Sequence, residues 1–411
     1  MDFEKLHREE SGRILSTLIG MLGDFDLAEE ALQEAYAKAL QKWPVEGTPA
    51  NPRAWLISTA RNNAIDQLRR GKRLDAKRDE IQHHIEVAQA PQLEAAEEMC
   101  ADDRLRLIFT CCHPALATDA QVALTLRTVC GLTTEEIAKA FLLPVATLAQ
   151  RLVRAKRKIR DAGIPYREPL PEDLPERMDS VLLAIYLIFN EGYLASSGDA
   201  LVRRELCSEA IRLGRVLCEL LPREREARSL LALMLLHDSR RDARVSGDGE
   251  LILLEEQGRS LWHQAQIREG SALLDSALHG GANGFYTLQA SIAALHANAR
   301  TAAETDWPQI AGLYDLLVSS HPSPVLEVNR AVAVALASSL TEGLALLDQL
   351  EEHEELAEFH LLPAAKADLL RRLGRREEAA EAYRQALQSV NNDIERRFLL
   401  RRYAEMTSLR L

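Results

Sequence analysis

The sequence is poor in aromatic residues, glycine, proline and cysteine. Phe, Trp and Tyr make up 5% of its 411 residues, and there are only 20 Gly, 15 Pro and 6 Cys. Few aromatic and turn-forming residues argue against a β-sandwich or a barrel, and 47% apolar residues argue against disorder. Abundant Leu, Ala, Glu and Arg favour helices. The composition therefore predicts an all-α chain of two or three domains.

Long apolar runs are also missing. No stretch reaches the roughly 18–20 apolar residues of a membrane span, and the charged residues 1–10 lack the apolar core of a signal peptide. The cysteines are scattered, as is usual in a reducing compartment. They are Cys100, Cys111, Cys112, Cys130, Cys207 and Cys218. We expect a cytoplasmic protein with no membrane partner.

The charge is distributed unevenly along the chain. The formal total of −12 would by itself argue against a nucleic-acid partner. Residues 1–165, however, carry 23 basic and 24 acidic residues, whereas residues 166–411 carry 27 and 38. Almost all the acidity therefore belongs to the second part, and a nucleic-acid partner for the first part stays possible.

Residues 9–43 read as two helices broken near Gly23, with Asp24 capping the second. Apolar residues from Leu27 to Leu40 recur at helical spacing and are expected to face inward. The outer face of the second helix is acidic. Its acidic side chains are Asp26, Glu29, Glu30 and Glu34.

A proline-containing loop over Trp43–Ala50 is predicted to follow, and Asn51 with Pro52 should start a helix that ends near Arg70. The end of this helix mixes basic and polar side chains, a composition that suits contact with DNA backbone and unstacked bases. These are Arg61, Asn62, Asp66, Arg69, Arg70 and Arg73. A solvated helix end explains the same pattern equally well.

Residues 119–160 have the spacing of a helix-turn-helix. Thr133 and Glu136 match a capping box at the start of the short middle helix, and Pro144 suits the opening of the third. On that third helix Leu148, Leu152, Ala155 and Ile159 form an inward stripe.

The third helix is strongly basic. Six basic residues and no acidic one lie between Val145 and Arg160. Thr147 and Gln150 occupy the first turns, where a recognition helix meets base edges, and the later basic residues suit phosphates. The candidate DNA-contacting residues are Thr147, Gln150, Arg151, Arg154, Lys156, Arg157 and Lys158. A solvated helix with a basic surface is the alternative.

Beyond a proline-rich stretch at 165–175, the chain reads as helical hairpins. Comparison of the chain with itself at an offset of 36 aligns Ala331 with Ala367 and Leu347 with Tyr383, a pattern similar to the tetratricopeptide (TPR) repeat. Near residue 190, Gly192 is expected to stop a helix.

Enzymatic and metal chemistry find little support. Cys111 and Cys112 are adjacent on a helix, point about 100° apart and lack the usual CxxC spacing, so we predict no metal site and no cofactor there. There is no phosphate-binding glycine loop either, and we expect a protein that is not an enzyme.

Together, these motifs resemble a known family. Residues 24–36 and 52–70 resemble region 2 of extracytoplasmic-function (ECF) sigma factors, and the helix-turn-helix with residues 147–158 resembles their region 4. Residues 107–114, 186–193, 203–207 and 322–325 are similar to the ECF subgroup with a long C-terminal TPR-like extension.

The resemblance implies a promoter-recognition subunit of bacterial RNA polymerase. The acidic helix would bind the polymerase clamp, region 4 would lie near the flap and read the −35 element, and the Pro44–Ala50 loop with the following helix would read the −10 element. Five segments are expected: region 2 (1–72), a linker (73–100), region 4 (101–165), a proline-rich linker (166–178) and a TPR-like domain (179–411). That last domain would regulate in cis and offer a site for a protein or peptide. The alternative is a helix-turn-helix regulator that never joins polymerase.

Overall fold

The computed structural model describes residues 3–70, 105–141, 143–195 and 201–408. These residues are helical, with short 3-10 turns and one isolated β-bridge between Val245 and Leu251, and no strand occurs among them. The all-α class is therefore confirmed. No helix in the described ranges is long and apolar enough to cross a membrane. The predicted linker at 73–100 lies outside the described residues. The chain divides into two compact units, 1–187 and 188–411.

The first unit begins with three helices that pack on one another. A second group follows, with helical residues 105–111 ahead of it. The helices are α1 (Phe3–Leu22), α2 (Phe25–Glu46), α3 (Pro52–Arg70), α4 (Thr118–Thr128), α5 (Thr134–Ala140), α6 (Val145–Asp161) and α7 (Leu174–Tyr193), the last of which runs across the division between the units.

Two helix starts in this unit follow local sequence signals. Asp24 accepts hydrogen bonds from the amides of Asp26 and Leu27, and Gly23 before it has a φ of +66°, so the predicted break and cap are confirmed. At the start of α3, Asn51 Oδ1 accepts from the Ala54 amide at 3.0 Å. Both caps satisfy amides that would otherwise lack a partner in the first helical turn.

The loop predicted over Trp43–Ala50 is wrong in its first half. Helix α2 continues through Pro44 to Glu46 and closes where the Gly47 amide donates to the Trp43 carbonyl. Trp43 is buried and packs edge-on against Trp55 of α3, which holds this last turn in place. The non-helical connection is therefore limited to residues 47–51.

The second unit is a succession of helices that pack mostly on their neighbours along the chain, and α11 also packs extensively on α9. This nearest-neighbour packing is typical of helical repeat proteins. The helices are α8 (Arg204–Leu220), α9 (Arg225–Asp238), α10 (Gln264–His279), α11 (Phe285–Asn298), α12 (Trp307–Ser320), α13 (Pro324–Ala337), α14 (Leu340–Leu350), α15 (Leu361–Arg372), α16 (Arg376–Ser389) and α17 (Asp393–Thr407). Short 3-10 turns cover Arg241–Ala243, Arg259–Leu261, Ala302–Glu304 and Glu354–Leu356.

Small residues set the helix spacing at the C-terminal end of this unit. A Cβ added at Gly343 on α14 would lie 2.4 Å from the Ala335 Cβ and 2.6 Å from the Ala331 carbonyl oxygen on α13. Ala331, Leu347 and Tyr383 are all buried in the same apolar cluster. The residues that the 36-residue offset singles out are therefore core residues.

Helix α7 ends at Tyr193, one residue beyond the stop predicted at Gly192. The helix continues through Gly192, and the Leu194 amide still donates to the Asn190 carbonyl. The glycine serves close packing, because an added Cβ would lie 2.6 Å from the Cys207 backbone nitrogen. Its neighbours in sequence pack against α8 and α9 and belong to the core of the second unit.

Candidate nucleic-acid interface

Helices α5 and α6 form the two helices of the predicted helix-turn-helix. The Glu136 amide donates to Thr133 Oγ1 at 3.1 Å, and the Thr133 amide donates to Glu136 Oε2 at 2.7 Å, so both hydrogen bonds of the capping box are present. The chain then turns, and the Leu148 amide donates to the Pro144 carbonyl as α6 begins. This fixes where the basic helix starts.

The apolar stripe of α6 anchors the helix. Leu148, Leu152, Ala155 and Ile159 are buried, as the sequence spacing predicted. Helices α4 and α5 pack against it. Because four buried residues at spacings of 4, 3 and 4 define the inner side, the rotation of α6 about its axis is fixed and its other side chains face outward.

One outer face of α6 has the composition of a DNA-reading surface. Thr147, Gln150, Arg154 and Lys158 are exposed on it, and Arg151 lies between them. These side chains line an open groove of about 440 Å³ whose other wall is the start of α4 and the residues before it. Hydroxyl, amide and guanidinium donors on one exposed helix face match the groups that read base edges and phosphates.

The cations of α6 have different partners. Arg151 Nε lies 3.1 Å from Asp119 Oδ2 at the start of α4, and Arg157 pairs with Asp161 on its own helix. Among the described residues no carboxylate pairs with Arg154 or Lys158. These two cations keep their charge available to an external anion.

Lys156 lies on a different side of α6 from this groove. Its Nζ is 2.7 Å from Glu29 Oε2 and 3.3 Å from Asp26 Oδ1, both on α2. Arg160 adds a longer contact, 3.8 Å, to Asp26. The structure therefore pairs a cation predicted to contact DNA with acids predicted to contact polymerase.

Two other contacts bring the same groups of helices together. A Cβ at Gly12 of α1 would lie 2.3 Å from the Val129 carbonyl oxygen, next to α4. The Tyr166 hydroxyl, beyond α6, donates to the Ser16 carbonyl of α1 at 2.8 Å. Within the first unit, α1 and α2 are thus packed directly against the helix-turn-helix.

The other acidic residues predicted to bind polymerase are exposed on α2. Glu30 and Glu34 are exposed one turn apart, and Asp26 continues this line although it also meets Lys156. Glu29 differs from them because its side chain is only 17% exposed. An acidic ridge of Asp26, Glu30 and Glu34 therefore remains on the surface of α2.

Sequence reasoning missed the apolar part of this surface. Leu40, which the periodicity placed inside, is 55% exposed, and Val45 is 85% exposed near the end of α2. The inner stripe runs instead through Ala35, Ala39 and Trp43. Only the packing of α2 on its neighbours decides which of two adjacent apolar positions is covered, so spacing alone could not separate Ala39 from Leu40.

Helix α3 carries the remaining candidates. Asn62 and Asp66 are exposed at a spacing of four, and Arg61 is half-buried. Arg69 and Arg70 lie on the last turn of the helix, with side chains outside the described part of the chain, and Arg73 lies outside it entirely. The structure thus brings Asn62 and Asp66 onto one face.

The adjacent cysteines, Cys111 and Cys112, are part of the core. Cys111 Sγ lies 3.0 Å from Thr128 Oγ1, and Cys112 Sγ lies 3.3 Å from Thr125 Oγ1. Burial raises the pKa of the Cys112 thiol to about 11, and it also raises the pKa of Cys111. Within the described ranges no three His, Cys, Asp or Glu side chains are placed to hold a metal.

Comparison with known proteins shows which families match parts of the chain. Residues 6–74 match sigma-70 region 2, residues 106–159 match sigma-70 region 4, and residues 177–278 match a family of unknown function, DUF6596. An uncharacterized protein of Rhizobium meliloti is 41% identical over 389 residues, which are 94% of this chain and 91% of that protein. No solved structure matches the chain.

Two relatives that are named as sigma factors match about a third of the chain. A probable ECF RNA polymerase sigma factor of Mycobacterium tuberculosis is 28% identical over 145 residues, 35% of this chain and 49% of that protein. The Escherichia coli ECF RNA polymerase sigma-E factor is 28% identical over 134 residues, 32% of this chain and 70% of that protein. The chain belongs to the same family as the Rhizobium meliloti protein, and it carries matches to sigma-70 regions 2 and 4.

Proposed function

We propose that the protein binds core RNA polymerase and directs it to promoters, with α2 as the polymerase contact and α6 as the reader of the −35 element. One observation carries the proposal. The first unit holds both an exposed acidic ridge on α2 and, on α6, an exposed face that includes the free cations Arg154 and Lys158. A repressor that acts alone needs only the second of these surfaces.

For promoter reading, the groove face of α6 supplies the base and phosphate contacts. Thr147 and Gln150 on the first turns are suited to base edges, and Arg154 and Lys158 further along are suited to phosphates. Asn62 and Asp66 on α3, with Arg61, Arg69, Arg70 and Arg73, contact the −10 element together with the connection before α3. Two weak DNA contacts held on one polymerase gain from effective concentration.

The domain limits remain as the sequence set them: region 2 at 1–72, a linker at 73–100, region 4 at 101–165, a proline-rich linker at 166–178 and a TPR-like domain at 179–411. Support for the TPR-like character comes from the packing of consecutive helices and from the small residues between α13 and α14. This domain regulates promoter engagement in cis and offers a surface to a protein or peptide.

The polymerase contact is tested by charge reversal at the two open acids. Glu30→Lys with Glu34→Lys leaves the Glu29–Lys156 pair in place and reverses the exposed ridge. We expect binding to core RNA polymerase, measured by fluorescence anisotropy of the labelled chain, to weaken at least tenfold. Glu352→Lys with Glu358→Lys, two exposed acids of the second unit, is the matched control and should bind normally. Normal binding by the α2 variant would refute the polymerase contact and leave the DNA-regulator alternative.

Regulation in cis is tested with a chain that ends at Ala195, after α7. Run-off transcription with core polymerase would compare it with the full chain, and circular dichroism would check that α1–α7 remain helical. Higher output from the short chain supports masking by the C-terminal unit, and lower output supports a positive role. Equal output would contradict regulation in cis.

A further inference from the structure

Three arginines of the second unit converge without an acidic partner. Arg240 and Arg244 are each 7% exposed, and Arg259 is half-buried beside them. Among the described residues no carboxylate lies within ion-pair distance of any of the three. Of the nearby carboxylates, Asp238 bonds Arg241 and Gln266 through Oδ2, while its Oδ1 is buried without a partner in the described structure, and Asp242 bonds Arg204 and His263.

The cluster is assembled from two segments around Trp262. The first segment follows α9, and the second precedes α10. They are tied together where the His263 amide donates to the Ser239 carbonyl at 2.8 Å. The Arg259 guanidinium lies 3.8 Å from the centroid of the Trp262 ring, and that of Arg240 lies 5.7 Å from it. The indole therefore positions two cations side by side.

The end of α7 supplies the other wall. The Arg244 guanidinium lies 3.8 Å from the centroid of the Tyr193 ring, and Arg244 also donates to the Tyr193 backbone carbonyl. Arg240 Nη2 donates to the Tyr193 hydroxyl and contacts His237 Nδ1, each at 2.8 Å. Phe189 stacks on the Tyr193 ring with 5.7 Å between the ring centroids.

Hydrogen-bond donors in the cluster are left without acceptors. In the described structure Arg259 Nε and Nη1 and Trp262 Nε1 are buried and have no hydrogen-bond partner. Leaving a buried donor without an acceptor costs free energy, and a buried cation without a counterion costs more. The unused groups of Arg259 and Trp262 are donors and the three guanidinium groups carry positive charge, so the component that would satisfy them is an acceptor with negative charge.

The positive charge of the arginines also affects the pKa of two nearby histidines. Burial, followed by the charge of Arg240 and Arg244, holds the pKa of His237 well below its usual range. Burial, followed by Arg240 and Arg259, lowers the pKa of His296 to about 4. Both rings are therefore neutral at pH 7, and Tyr193 and Arg259 beside them are half-buried.

We propose that Arg240, Arg244, Arg259 and Trp262 form a binding site for a small oxyanion, either inorganic phosphate or the phosphate group of a small organic molecule. Arginine forks match the oxygens of phosphate, and the half-buried setting limits screening by water. The site lies wholly within the second unit. It is independent of the proposed promoter function, so failure of either leaves the other standing.

The test is isothermal titration calorimetry of the full chain at constant ionic strength. The two probes are inorganic phosphate and phenyl phosphate. We expect saturable binding of at least one probe and at least a tenfold loss of affinity in Arg259→Gln. Arg300→Gln, which removes a 91% exposed arginine side chain from the same unit, is the matched control and should bind as the unaltered chain does. Tighter binding of phenyl phosphate would identify an organic phosphate, and equal binding would identify the oxyanion alone.

A proton readout separates a specific site from general attraction. A bound anion offsets the field of Arg240, Arg244 and Arg259 and raises the pKa of His237 and His296. His237 also faces Phe189, Tyr193 and His296, and His296 also faces Trp307. With either probe bound, the two histidines should therefore titrate at a higher pH, followed by NMR of their ring protons. No saturable binding of either probe would overturn the proposal. Equal binding by Arg259→Gln and Arg300→Gln, with circular dichroism showing both folded, would do the same.

Discussion

Lys156 Nζ lies 2.7 Å from Glu29 Oε2, although 127 residues separate the two in sequence. Their side chains are 14% and 17% exposed, so the pair is largely withdrawn from water. In this state neither residue can meet an outside partner. In the first unit, therefore, one residue of the proposed polymerase-binding surface is covered by one residue of the proposed DNA-binding surface.

The free energy of this pair is measurable by a double-mutant cycle. We expect Lys156→Met and Glu29→Gln to couple by about 1 kcal/mol in thermal unfolding of the full chain, because the pair is half-shielded and joins two helices. Arg157 and Asp161, exposed by 74% and 58%, form the control pair and should couple close to zero. Equal coupling in both cycles would mean that the pair between Lys156 and Glu29 contributes no more than an exposed ion pair.

The position of the groove on α6 predicts which of its arginines contributes more to promoter binding. Arg154→Ala should weaken promoter binding of the polymerase complex by about 1–3 kcal/mol, because its guanidinium has no partner in the described structure and is available to DNA. Arg157→Ala should cost less, since Arg157 already pairs with Asp161. Electrophoretic mobility shifts at fixed salt would measure both, with Arg300→Ala as a control outside the first unit. A larger loss for Arg157 would show that DNA approaches a different side of α6.

Helix spacing in the second unit is tested at two glycines. Gly343→Ala should lower stability by about 1–3 kcal/mol, because the new methyl group meets both Ala335 and the Ala331 carbonyl. Gly312→Ala on α12 meets nothing within 4 Å and should raise stability by about 0.4–1 kcal/mol. Thermal melting of the two variants should shift in opposite directions. Similar shifts would contradict the close approach of α13 and α14.

The cysteines of the first unit are expected to be unreactive. Because burial raises the pKa of Cys112 to about 11, the thiolate fraction at pH 8 is about a hundredfold below that of a free thiol. Iodoacetamide labelling, followed residue by residue with mass spectrometry, should be at least that much slower at Cys111 and Cys112 than in urea. Added zinc should leave the rates unchanged. Protection by zinc would instead indicate a metal site at these thiols.

Local sequence signals were sufficient for the helix-turn-helix. The capping box of Thr133 and Glu136 and the inward stripe from Leu148 to Ile159 depend on residues three or four positions apart. Such interactions are decided within one or two helical turns, so spacing and residue type predict them. The break at Gly23 with its Asp24 cap was predictable for the same reason.

The same local rules misplaced Pro44 and Leu40. Pro44 stays in α2 because Trp43 packs on Trp55, Leu40 is exposed because Ala39 takes the inner position, and the close packing at Gly192 is set by the approach of Cys207. Each outcome depends on a neighbouring helix. A residue's own pattern does not say which neighbour it will meet or how closely.

Composition and local spacing establish that the chain is helical, where the third helix of the helix-turn-helix begins, and which side of that helix is apolar. The tertiary structure alone decided that Lys156 pairs with Glu29 and that Arg240, Arg244 and Arg259 gather around Trp262 and Tyr193. The difference lies in how far along the chain each interaction reaches. Capping and periodicity act over a few residues along the chain, whereas charge pairing acts through space between residues that only the packed fold brings together.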